Sequence, residues 1–365
     1  MTQILPLDDA VMVAANALFG NSDPTQLGAA VRSAGPRLAL TIDPPIDSST
    51  GLQSVATRAM QQRVVKLVRE QYPLYELKPF TGATIAAQPL LLVGTLTTVD
   101  KDARPAAARD AFRICLALVD LRNGRIVSNS FARARPAGVD LKPTRFFTDS
   151  PAWAPDAATQ GYVKTCQETQ PGDPINPTYS RRLPAAVLIN DATVAYEGGR
   201  YEEAYQLFKS VQRIPGGDQL RVYNGLYLAS QKLGRRDDAI RAFGHLVDFG
   251  LAQRELVIKF LFRLGSASFA DDPQVSGEYP VWLSVVSQVA ERRSYCIQVA
   301  GPPNERLLSL MRAQYIKQRI DAAGETIANR TSAVAGRENP PGSGADDAAD
   351  GRVQFRVLDC KARPG

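Results

Sequence analysis

Gly199-Arg200-Tyr201-Glu202-Glu203-Ala204, followed four residues on by Phe208, returns as Gly234-Arg235-Arg236-Asp237-Asp238-Ala239 with Phe243 at the same offset. The copies lie 35 residues apart. Self-similarity at a period of roughly 20–50 residues marks stacked supersecondary units. The spacing has a physical logic. A glycine lets a tight turn between antiparallel helices close. The alanine five residues later lets those helices approach, and the aromatic fills the space between them. Helical hairpins are therefore predicted over 184–252. Two such units cannot bury a continuous core alone, so they must lean on neighbouring parts of the chain.

Upstream, residues 8–19 predict a helix with Ala10, Val11, Val13, Ala14 and Leu18 on its apolar face. Pro36 opens a strand over 37–42, closed by Pro44-Pro45. The loop Asp47-Ser48-Ser49-Thr50-Gly51 precedes a helix over 52–71, where Val55, Met60, Val64, Leu67 and Val68 recur at helical spacing. A strand near 75–80, a short helical piece at 83–87 and a strong strand over 90–98 follow. Strands over 111–121 and 125–134 form a hairpin across Asn123-Gly124, a common two-residue turn. Residues 1–135 thus read as a mixed α/β domain.

Residues 136–183 carry Pro136, Pro143, Pro151, Pro155, Pro171, Pro174 and Pro177, which argue against long regular elements. Phe146, Phe147, Trp153, Tyr162 and Tyr179 are too apolar for a solvated tether. An ordered, extended Pro-rich linker wrapped over a domain is expected, tied down by Cys166. Downstream, 253–365 predicts a strand at 256–262, a helix at 281–290, a strand at 296–300 and a helix at 305–322. A strand near 332–336, a loop over 339–351 and a closing strand at 353–358 complete a βαβαββ order. The fold class is α+β and multidomain.

Three resemblances follow. Leu40-Thr41-Ile42-Asp43-Pro44-Pro45-Ile46-Asp47, the Ser/Thr/Gly loop and Leu92-Val93-Gly94-Thr95-Leu96-Thr97 make residues 5–135 resemble the small domain of CsgG-like curli secretion proteins and LpoB-type activators of penicillin-binding proteins. The hairpins resemble tetratricopeptide repeats, which implies a concave partner groove faced by Tyr196, Arg221, Asn224, Gln231 and Lys232. Phe260-Leu261-Phe262, Val299-Ala300-Gly301, Leu308-Ser309-Leu310-Met311-Arg312-Ala313 and Asp350-Gly351-Arg352-Val353-Gln354-Phe355 resemble an OmpA-like peptidoglycan-associated domain. That family grips the diaminopimelate of wall peptides between a loop Asp and the helix Arg. Arg312 matches the Arg, with Ser309 and Asn304 beside it. The loop carrying the Asp is absent, because Gly301 leads straight into Pro302-Pro303. Half of the charge complement is missing, so the wall site is degenerate.

Lys and Arg number 43 against 37 Asp and Glu, a net charge of +6. The basic residues are dispersed, without the basic stripe and interleaved aromatics of a nucleic-acid binder. No run of some 18 apolar residues exists to span a bilayer. Met1-Thr2-Gln3 opens no signal peptide, so the chain is either cytosolic or lacks its leader. Cys115, Cys166, Cys296 and Cys360 form no CxxC pair, so no metal is expected. Three connectivities are open to them, besides four free thiols. Cys115–Cys166 and Cys296–Cys360 are favoured, since the even count and the placement of the cysteines fit two local bridges. Such bridges imply an oxidising compartment.

No cofactor motif is present, and the single histidine, His245, reads as a core or interface residue between Phe243 and Leu246. The parts together imply a non-catalytic periplasmic or outer-membrane-associated scaffold that docks envelope proteins on or near peptidoglycan. An LpoB-type regulator of a cell-wall synthase is the alternative, and an enzyme of unknown type the third.

Overall fold

The computed structural model describes residues 3–20, 37–100, 102, 104–105, 110–303, 305–324, 326–336 and 351–360. Asn304 and most of the expected loop at 339–351 lie outside the described residues. The fold is α+β, with two mixed sheets. Contacts divide the chain into two compact units. One holds residues 1–148, 157–191 and 213–217, the other 149–156, 192–212 and 218–365.

The first unit begins with β1 (Ile4–Leu5), α1 (Leu7–Gly20), β2 (Leu38–Ile42) and β3 (Ile46–Asp47). Next come α2 (Val55–Gln71), β4 (Tyr75–Leu77) and α3 (Gly82–Ala86). A meander follows, of β5 (Leu90–Val99), β6 (Ala111–Asp120) and β7 (Arg125–Ala134), and then α4 (Arg145–Asp149). Strand order is β1-β7-β6-β5-β2-β4, with β3 also on β5. Helix α2 starts at Val55, later than its apolar pattern suggests, because Ser54 caps it. The Thr57 amide donates to Ser54 Oγ at 3.2 Å, and the Ser54 amide to Thr57 Oγ1 at 2.8 Å.

Strands β5 and β6 are apolar on both faces, so both must be covered. Leu40, Leu92, Leu96, Phe112, Ile114 and Leu116 pack under α1 and α2 through Ala14, Leu18, Met60 and Val64. On the other face, Leu91, Val93, Cys115, Ala117 and Val119 meet Tyr162, Cys166, Tyr179, Leu183 and Val187. These covering residues lie on α5 (Ala157–Gln167) and the start of α6 (Pro177–Glu197). The stretch expected to be extended is therefore partly helical. Its prolines mostly sit outside the helices, and Pro177 occupies the first helical position, where a missing N–H costs nothing. Pro184 is accommodated inside α6, so that helix begins seven residues before the expected hairpin boundary.

Pro44 and Pro45 have no amide to donate, and the β2–β5 ladder breaks there before β3 resumes it at Thr95. The Tyr162 phenol fills the gap. It accepts from the Gly94 amide at 2.9 Å and lies 3.2 Å from the carbonyls of Asp43, Pro44 and Gly94. Tyr179 donates to Asp43 Oδ2 at 2.5 Å.

In the second unit, α7 (Tyr201–Val211), α8 (Leu220–Lys232) and α9 (Arg236–Ala252) continue from the end of α6. Gly199 and Gly234 take φ of +76° and +68° in the interhelix turns. Ala204, Phe208, Ala239 and Phe243 are all buried. A Cβ at Gly225 would sit 2.3 Å from the Phe208 ring, so that glycine admits the aromatic. The sheet comprises β8 (Ala152–Trp153), β9 (Glu255–Phe260), β10 (Cys296–Ala300), β11 (Thr331–Val334) and β12 (Gly351–Leu358). Its order is β11-β10-β12-β9-β8. Helices α10 (Pro273–Ser276), α11 (Tyr279–Arg292) and α12 (Arg306–Ala323) complete the unit. The hairpins lean on this module through aromatic rings. Trp282 stacks on Phe243 at 5.1 Å and donates to the Tyr227 hydroxyl at 3.2 Å.

Both favoured disulfides, Cys115–Cys166 and Cys296–Cys360, are formed. They point to a non-reducing, extracytoplasmic compartment. Among the described residues no helix is long and apolar enough to cross a membrane.

Replacing Tyr162 with Phe keeps the ring but orphans the buried Gly94 amide. A loss of about 1–3 kcal/mol is expected. Urea denaturation of the oxidised protein measures it, and an unchanged midpoint would refute the role given to the phenol.

Candidate functional site

The hairpins present α8 and the end of α6 to a segment of the chain itself that runs from Asp149, the last residue of α4, to Asp156 and is non-helical between them. Two prolines, Pro151 and Pro155, keep this strap out of helical conformation. Its ends are clamped by carboxylates. Asp149 Oδ2 accepts from the Tyr196 hydroxyl at 2.7 Å. Asp156 Oδ2 accepts from the Leu220 amide at 2.9 Å, at the first turn of α8, where the N-cap residue Gln219 does not cap the helix with its own side chain. Between them, Asn224 Nδ2 donates to the Ala152 carbonyl at 3.1 Å. The opposite edge of the strap joins the sheet. Ala152 and Trp153 pair antiparallel with Ile258 and Val257, and the Lys259 amide donates to the Pro151 carbonyl at 2.9 Å. The strap thus covers the β9 edge, which would otherwise offer an unpaired row of amides and carbonyls.

This places the five expected groove residues. Tyr196 and Asn224 are buried, at 0% and 4% exposure, and hold the strap. Asn224 Oδ1 is buried without a hydrogen-bond partner. Gln231 is half-buried and donates to the Tyr227 hydroxyl at 3.3 Å. Burial pushes the Tyr227 phenol well above its usual range. Arg221 is half-buried and Lys232 exposed. The strap carboxylates escaped the sequence reading. Their available signal was the symmetric run Asp149-Ser150-Pro151-Ala152-Trp153-Ala154-Pro155-Asp156.

The expected wall-binding residues are turned inward. After β9, residues 261–270 fold into a hairpin. The Arg263 amide donates to the Ser268 carbonyl at 2.9 Å and the Ala270 amide to the Leu261 carbonyl at 2.8 Å. Gly265, at φ +65°, closes the tip, where Leu264 is fully exposed. Arg312, only 6% exposed, reaches this turn from α12. Its Nε donates to the Ser266 carbonyl at 2.9 Å and Nη2 to the Arg263 carbonyl at 3.4 Å. The guanidinium lies 4.6 Å from the Phe262 ring centroid. Burial lowers its pKa. Ser309 is fully buried, and its Oγ accepts from the Gly336 amide at 2.9 Å. Asn304 lies outside the described residues.

His245 is exposed, not in the core. Helix α9 turns Phe243, Leu246 and Val247 inward, and at about 100° per residue position 245 falls on the far side from 243. Its ring stacks on Tyr223 at 5.7 Å.

No family model matches the chain, and no curated protein is similar to it in sequence.

Two substitutions check these assignments. Asp156→Ala removes the acceptor at the start of α8 and should cost about 0.5–2 kcal/mol in urea denaturation. No change would mean that the strap is not clamped there. Arg312→Lys keeps the charge but loses the planar fork. Amide exchange in 261–270 should then accelerate, and unchanged protection would rule out the clamp.

Proposed function

We propose that this protein is a non-catalytic scaffold of the extracytoplasmic envelope, a periplasmic or outer-membrane-associated adaptor that docks protein partners on or near peptidoglycan. The observation that carries the reading is the strap. A surface of paired helices holds an extended polypeptide by carboxylate clamps, an Asn-to-backbone bond and strand addition. These are contacts of peptide recognition, and strand addition in particular uses main-chain bonds that any extended segment can supply. The two disulfides support the compartment. The strand order β11-β10-β12-β9, with a helix after β9 and another after β10, supports the OmpA-like resemblance of the C-terminal module.

Peptidoglycan contact through Arg312 is the weaker part of that resemblance. Its Nε and one Nη already donate to the chain's own carbonyls, and the carboxylate expected to face it is absent from the sequence. The adaptor would therefore meet the wall through other surfaces or through its protein partners.

The test is co-sedimentation with purified sacculi, with and without excess diaminopimelate, alongside in-cell crosslinking to envelope proteins. Sedimentation that diaminopimelate does not compete, together with discrete crosslinked partners, is the expected result. Competition by diaminopimelate would restore a working wall site. Neither sedimentation nor crosslinked partners would remove the scaffold reading.

A further inference from the structure

In the first unit a second polar cluster interrupts an otherwise apolar sheet face. On β6, Arg113 lies two residues from Cys115 and so shares its face. The register places Arg113 directly opposite Arg133 on β7 and opposite Thr97 on β5. Directly opposed side chains are close neighbours, and like charges in that position are destabilising. Both arginines are half-buried, which raises the cost, and burial lowers the pKa of Arg113.

The side chain that accepts from Arg113 is neutral. Its Nη2 donates to Gln167 Oε1 at 2.8 Å, and its Nε is buried with no hydrogen-bond partner. Arg133 donates to the Asp100 carbonyl at 3.4 Å, among other contacts. Gln167 Nε2 donates to Thr95 Oγ1 at 2.9 Å and to Thr97 Oγ1 at 2.7 Å. Ser48 Oγ also donates to Thr97 Oγ1, at 2.8 Å. The side-chain acceptors of the cluster are thus engaged, while both buried threonine hydroxyls still have a proton to give. On Arg113 a buried Nε donor and the guanidinium charge are left over. The Cys115–Cys166 disulfide holds Gln167, the next residue, over this face.

We propose that Arg113, Arg133, Thr95 and Thr97 form a binding site for an oxyanion, a phosphate or carboxylate group of a small molecule or partner. A guanidinium fork suits either group bidentately, and such charge-assisted bonds are the strong ones. Half-exposure of Arg113, Arg133, Gln167 and Ser48 leaves the cluster open to solvent. The anion would neutralise the Arg113–Arg133 opposition and take the unused hydroxyl protons. This site stands apart from the scaffold reading and does not depend on it.

The test uses the full oxidised chain in a weakly coordinating chloride buffer at constant ionic strength. Inorganic phosphate and acetate are titrated separately, by calorimetry and by thermal unfolding. Binding and stabilisation by at least one of them is expected, and the stronger of the two identifies the group. Arg113→Gln should weaken binding roughly tenfold or more, the size of one charge-assisted hydrogen bond. It should also raise the melting temperature without anion, by relieving the opposed charges. Thr97→Val, which keeps both arginines, should weaken binding too and serves if the first variant does not fold. Lys66→Gln, at an exposed cation of α2, should bind as wild type does. A wild-type protein indifferent to both anions, or variants that respond as it does, would overturn the proposal.

Discussion

A sheet whose central strands are apolar on both faces cannot be finished by one layer of helices. In the first unit, β5 and β6 set that requirement, and α1 and α2 meet only half of it. The remaining face is covered by chain from within the Pro-rich region, on α5 and the start of α6. The Cys115–Cys166 bridge joins that late segment to the sheet it covers. Loop-closure entropy makes such a link most useful between parts far apart in sequence, and 51 residues separate these two cysteines. The same requirement explains why aromatic residues recur between the prolines. Tyr162 and Tyr179 are the second lid of the core.

Both units also repair broken or open strand edges with residues from outside the sheet. Where Pro44 and Pro45 interrupt the ladder, the Tyr162 hydroxyl supplies a partner for a buried amide. Where β9 would be an edge, the strap adds two residues of strand and a backbone bond. In each case an acid at the repaired edge or at the end of the repairing segment receives a phenol. Asp43 receives Tyr179, and Asp149 receives Tyr196. A buried carboxylate accepting a phenol proton fixes an orientation that van der Waals packing alone would leave loose.

Periodic signals were the legible ones. The Gly-x-x-x-x-Ala-x-x-x-Phe spacing places turn, close approach and filler correctly, and apolar runs give most strands of both sheets within a few residues, while the two-residue strands β1, β3 and β8 were not read. What was not legible depends on contacts between residues far apart in sequence. Prolines argued for an extended segment, yet they flank α5 and open α6, which only the uncovered sheet face would have revealed. His245 was read by its neighbours in sequence rather than by its angle around the helix. The strap carboxylates carry no periodicity, and their partners Tyr196 and Leu220 lie 47 and 64 residues away. Arg113 was not singled out from the sequence, because its opposition to Arg133 is a matter of register.

Arg312 and Arg113 illustrate how a structure tells a structural cation from an available one. Arg312 matches a family's ligand-binding position, yet the carbonyls of Ser266 and Arg263 satisfy it, and a hairpin turn depends on it. An anion arriving there would have to displace bonds that hold the fold. Arg113 matches no motif. Its acceptor, Gln167 Oε1, belongs to a neutral amide, its Nε is unpartnered, and a second guanidinium stands opposite. An anion arriving there would relieve a repulsion and break no backbone contact. Resemblance points to the first residue, and the balance of donors, acceptors and charge points to the second. The physical balance is the better guide, because affinity comes from the groups that the fold leaves unsatisfied.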